Sequence, residues 1–100
     1  MILYHCSPRS VVESIRTTGL GIAYSHGDTP RVWAVRWQQI LWAVLHCSNR
    51  HRVLPVDVVI WPVWGRRRDW HYRHPHMWWT AADVPAASLH VPIIEEDLPW

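Results

Sequence analysis

The chain has no lysine and no phenylalanine, and only four glycines and two cysteines among its 100 residues. A GC-rich coding bias is enough to remove Lys and Phe, so the absences themselves carry no chemistry. Two cysteines, Cys6 and Cys47, without CxxC spacing give no disulfide framework and read as reduced, buried thiols in a cytoplasmic setting. No apolar run approaches the ~20 residues of a membrane helix. The longest, from Ile40 to Leu45, has six. The opening MILYHCSPRS has neither a basic lead nor a long apolar stretch, so no secretory signal is expected and no membrane partner. Charged residues are also few, at 18% against 49% hydrophobic, which excludes a disordered chain and indicates one globular domain.

What replaces the missing types is tryptophan and arginine. Nine Trp supply large apolar surfaces, each with an N–H that needs a partner when buried. All ten basic residues are Arg, whose planar fork suits phosphates, carboxylates and aromatic faces. Residues 1–90 hold ten Arg against five acids, a balance of +5, and Glu95, Glu96 and Asp97 bring the total to +2. The expected organisation is a single α+β domain over 1–94 and an acidic tail over 95–100, read as solvated.

Apolar spacing gives the order of elements. Ile2–His5 alternates as a short strand. Ser7-Pro8 reads as an N-cap followed by proline at the first helical position, with Val11, Val12 and Ile15 at helical spacing and Gly19 as the closing cap. Residues 23–30 form a loop. A second strand covers Arg31–Val35, with Arg31, Trp33 and Val35 on the face opposite Val32 and Ala34. A second helix runs from about Trp37 to His51 with Ile40, Leu41, Val44 and Leu45 as its apolar stripe. Val56–Val63 is rich in β-branched residues, and Pro62 marks an edge or bulge. Gly65–Asp69 is a turn, Trp70–Thr80 contains one or two strands interrupted at Pro75, and Ser88–Ile94 returns as the last strand. Two early helices and a mainly antiparallel sheet define the class as α+β.

The segment Leu3-Tyr-His-Cys-Ser-Pro, followed by Val11-Val12, Ile15 and Gly19-Leu20, resembles the start of ADP-ribosyltransferase-like domains. Small bacterial and phage members share this "LYHGTS…I…GL" opening, as do the distantly similar RNA 2′-phosphotransferases. Arg31–Val35, Val56–Val63 and Asp83-Val-Pro-Ala follow in the family's order. The resemblance implies an ADP-ribosyltransferase-like fold, a transferase ancestry and a nucleotide-type small molecule, NAD or ADP-ribose, as substrate, with no metal. It makes His5 the residue that holds a ribose hydroxyl and the candidate catalytic position. Arg9 or Arg31 would meet phosphate, and Tyr24, Trp33 and Trp78 would wall the ring of the nicotinamide or adenine. The first strand, second strand and residues 77–80 are expected to line one cleft. Ribosyl transfer passes through an oxocarbenium-like state, which transferases of this family commonly stabilise with a Glu from a later strand. Here that stretch reads Met77-Trp-Trp-Thr80, and Asp69 and Asp83 lie outside the motif position. Weak or altered catalysis follows.

A different class of function is a non-catalytic module for nucleic acid or a protein partner. Arg66, Arg67, Arg68 and Arg73 interleave with Trp70 and Tyr72, a pattern of phosphate contacts and stacking faces. His71, His74 and His76 lack the further ligands and fixed spacing of a zinc site. Trp33, Trp37, Trp42, Trp61, Trp78 and Trp79 are read first as core. Strand alternation sends one of the Trp78-Trp79 pair inward and one outward.

Overall fold

The strand expected over Ile2–His5 runs on to Pro8 (β1) in the computed structural model, which describes residues 1–22 and 30–93 of the chain. Its length is set by its partner. All seven residues pair antiparallel with Val58–Trp64 (β3), from Ile2 opposite Trp64 to Pro8 opposite Val58. Ser7 is therefore strand and not a helix cap. Its hydroxyl is buried and accepts the indole N–H of Trp61 at 2.8 Å. Pro8 ends β1 with φ −64° and ψ 148°, and a 3-10 turn over Arg9–Val11 leads into helix α1, Val12–Thr18. Gly19 closes α1 as expected, at φ 81°, with its N–H on the Ile15 carbonyl at 2.7 Å.

Strand β2 is Val32–Val35, and helix α2, Ile40–His51, follows a 3-10 turn at Trp37–Gln39. After β3, a 3-10 turn at Arg67–Asp69 precedes β4, His71–Arg73, and β5, Met77–Thr80, which form a hairpin around Pro75. The five strands lie in the order β3-β1-β2-β5-β4, every pair antiparallel. This is an α+β domain. The segment expected as a last strand reaches β3 in pieces. Leu89 bridges Val63 and Ile93 bridges Ile60, with the His90 N–H on the Pro62 carbonyl at 2.9 Å. Pro92 has no N–H to give a ladder, and the two bridges are one residue out of register, so no continuous strand forms.

Each sheet face carries its own core. Leu3, Val32, Ala34 and Val63 meet Leu20, Trp70 and Val84 on one side, with Ile15 of α1 packed against them. Val35, Val58 and Ile60 meet Ile40, Val44 and Cys47 of α2 on the other. The buried positions of α2 are thus Ile40, Val44, Cys47 and Ser48, a row displaced from the expected stripe, and Leu41 and Leu45 are exposed at 58% and 47%. The helix lies over β1 and β3, and one row fills that contact. Trp61 is the buried tryptophan of the expected core set, whereas Trp37 and Trp42 face outward on and beside the same helix. Residues 23–29 and 94–100, which hold most of the expected loop and the acidic tail, lie outside the described residues. No helix among the described residues is long and apolar enough to cross a membrane.

Candidate functional site

His5 sits at the middle of β1, opposite Trp61, and shares the α1-side face of the sheet with Leu3 and Ser7. Its ring is half-buried, and Nδ1 is 2.6 Å from the backbone carbonyl of Trp33. A carbonyl oxygen only accepts, so Nδ1 carries the proton and donates it. In the neutral ring Nε2 then remains as a single acceptor. Burial lowers the pKa of His5 below its ordinary value of 6.5. The Trp33 hydrogen bond opposes that shift, and the nearby charge of His51 adds to it. At neutral pH the site offers an uncharged imidazole of fixed tautomer, which can accept a hydrogen bond from a hydroxyl.

The lowered pKa has a consequence for stability. Below pH 6.5 an unfolded His5 takes up a proton that the folded ring resists, so the unfolded chain gains relative to the native one. Stability is complete above the ordinary imidazole value and falls as pH drops from there towards the lowered folded value, by no more than about 1.4 kcal/mol per pH unit for one group. Urea midpoints at pH 7.5 and 5.0 should fall less in His5→Asn than in the native chain. Equal falls in both would remove His5 from the effect.

The sheet order places β1, β2 and β5 side by side, the three segments expected to share a site. Their side chains divide between the two faces. Trp78, opposite Ala34, packs on the Leu3 side with His5, and its ring meets Tyr72 at 5.3 Å. Trp33, opposite Trp79, projects to the other face together with Arg31, whose guanidinium lies over both indoles. Arg9 is engaged by the 3-10 turn over Pro55–Asp57 that precedes β3, donating to the Val56 carbonyl at 3.1 Å and standing 4.0 Å from the Asp57 carboxylate. Tyr24 lies outside the described residues. Of the expected nucleotide set, His5 and Trp78 share a face, and Arg31 and Trp33 share the opposite one.

Of the basic and aromatic segment, Arg66, Arg67, Arg68, Tyr72 and Arg73 are exposed, but Trp70 is 6% exposed within the α1-side core, where no base can stack on it. Gly65 makes room for that indole: a Cβ there would lie 2.4 Å from Trp70 Nε1. Arg66, Arg68, Asp69, His71 and Asp83 line an open groove of about 680 Å³. Asp83 is committed locally, its carboxylate accepting the Ile22 N–H at 2.9 Å. Burial also holds both thiols in the protonated form: Cys6 is pushed far up, with Cys47 adding to the shift, and Cys47 is raised to about 11 against the opposing charge of Arg50. Neither is a nucleophile at neutral pH. Among the described residues no three His, Cys, Asp or Glu converge to hold a metal ion. Two residues absent from the expected nucleotide and nucleic-acid sets, His71 and Trp79, stack with centroids 4.3 Å apart. Only the β4–β5 register brings them together.

No family model, no curated protein and no solved structure matches the chain. Fold and site together define a small α+β domain with an oriented histidine at the middle of β1, an inner strand of its antiparallel sheet.

Proposed function

We propose that the chain handles the ribose of a nucleotide of the NAD or ADP-ribose class, as an ADP-ribosyltransferase-like domain in a cytoplasmic setting. The observation that carries this reading is the His5–Trp33 hydrogen bond. It fixes the imidazole so that Nε2 accepts, which suits a ribose hydroxyl as donor. The adjacency of β1, β2 and β5 supports it, since these are the segments that the resemblance assigns to the site. Trp78 on the same face supplies an aromatic wall for a flat ring. The stretch Met77–Thr80 carries no carboxylate to stabilise an oxocarbenium-like state, so binding outlasts turnover in this chain. The two free thiols fit the reducing compartment.

Calorimetry tests the reading. NAD and ADP-ribose should both bind, and His5→Ala should weaken each about 3- to 10-fold, the equivalent of one neutral hydrogen bond. Release of nicotinamide from NAD should be slow or undetectable. A native protein that binds neither compound overturns the proposal.

A further inference from the structure

On the face opposite His5, the register of three adjacent strands sets Trp33 of β2 against Trp79 of β5, and Trp79 against His71 of β4. α2 covers this face over β1 and β3, while all three residues of β4 are exposed. The side chains form a stacked column. The His71 ring lies on Trp79 at 4.3 Å with an interplanar angle of 28°. The Arg31 guanidinium lies 3.8 Å from the Trp79 centroid and 5.8 Å from that of Trp33, and Arg73 lies 5.9 Å from Trp33.

These cations have no anionic partner among the described residues, where the two ion pairs are Arg9–Asp57 and Arg16–Glu13. Arg31 Nε is also buried with no hydrogen-bond acceptor. Buried donors on a permanent cation are ordinarily satisfied, so this guanidinium is held in place by aromatic faces with hydrogen-bonding capacity to spare. At the outer end of the column, His71 is exposed on the edge strand and also lines the groove that Arg66 and Arg68 share. Positive charge therefore continues from the column, past the edge of the sheet, into the turn before β4. Asp69 is the acid of that turn and offsets part of it.

We propose that this face binds single-stranded nucleic acid. A base extends the column by stacking on the outer face of His71, Arg73 and the Arg31 fork meet the phosphate beside it, and Arg66 and Arg68 take phosphates further along the strand. A free flat face is what an unpaired base offers and a duplex conceals. A row of separated guanidinium groups fits a chain of phosphates better than one mononucleotide. The stacked column is on the opposite face of the sheet from His5, so base stacking there is tested independently of NAD binding.

Fluorescence anisotropy with a labelled 12-nucleotide single strand of mixed sequence, its duplex and a mononucleotide tests the proposal across a salt series. The native chain should prefer the single strand over both, with log affinity falling linearly in log salt by about 0.7 per phosphate neutralised. Arg73→Ala should reduce that slope by about 0.7, one phosphate contact. His71→Ala should weaken binding about 5- to 100-fold with the slope unchanged, and His71→Tyr, which restores a flat ring, should recover it. His71 and Arg73 are exposed, and circular dichroism and melting of each variant verify that the fold is intact. Equal affinity for duplex and single strand, no binding at low salt, or native affinity in both His71→Ala and Arg73→Ala overturns the assignment. So does loss confined to a triple Arg66, Arg67, Arg68→Ala variant, which would move the contact to the turn alone.

Discussion

Trp61→Ala is expected to remove about 3–5 kcal/mol of stability, the range for deleting a buried aromatic side chain from a packed core. That is a large share of the about 5–15 kcal/mol available to a domain of this size. Trp61 is 1% exposed and lies at the centre of β3, so neither solvent nor a mobile neighbour can refill the space. Part of the loss belongs to its N–H. Ser7→Ala leaves that donor buried without its 2.8 Å acceptor and should cost about 1–3 kcal/mol. Trp61→Phe removes the donor together with some volume. In that background Ser7→Ala should cost much less, and the shortfall is the coupling between the two residues. Denaturant midpoints of the four proteins close the cycle. Additive losses would show that the hydroxyl and the indole act separately.

Gly19→Ala should be comparably damaging although it adds one methyl group. At φ 81° and ψ −162° the backbone occupies a region that is almost exclusively glycine's, and a side chain there is strained by about 1–3 kcal/mol. The new Cβ would also lie 2.1 Å from the Val84 carbonyl oxygen and 2.8 Å from the Ala86 nitrogen, both main-chain atoms that no rotamer change can move. The neighbouring bridge is the casualty: Leu20 and Val84 exchange two backbone hydrogen bonds, each 2.8 Å, and both residues are core. Hydrogen exchange at those two amides should accelerate sharply in the variant, alongside a lowered denaturant midpoint. Native protection at both would mean that the segments part without loss and that the close approach carries little energy.

The parts of the fold legible from sequence were those with a local cause. β-branched density marked Val58–Trp64, Pro75 marked the β4–β5 hairpin, and Gly19 marked the end of α1. Ser7 shows where local signals stop. A Ser-Pro pair suits a helix start, but the buried indole that claims the hydroxyl lies 54 residues further along the chain. The stripe of α2 shows the same limit, because Leu41 and Leu45 satisfy helical periodicity and the strands beneath the helix decide which row is covered.

The candidate site divides along the same line. Alternation already set Arg31 and Trp33 on one face of their strand, but where His5 and Trp78 stand relative to them depends on how β1, β2 and β5 are paired. Trp70 carried one usable sign: Gly65, five residues earlier, leaves space that a methyl group would fill. Nothing in the order of residues joins His71 to Trp79, eight positions apart across a hairpin whose register had to be known first.

The short fragments that follow β5 have a wider effect than their few hydrogen bonds suggest. By lying along the free side of β3 at Leu89 and Ile93, they leave β4 as the open margin of the sheet among the described residues. A strand from a second molecule would find three residues to pair with there, one of them Arg73. So brief and charged a margin discourages ribbon growth from molecule to molecule, and a chain so rich in tryptophan is thereby guarded against polymerising through its own sheet.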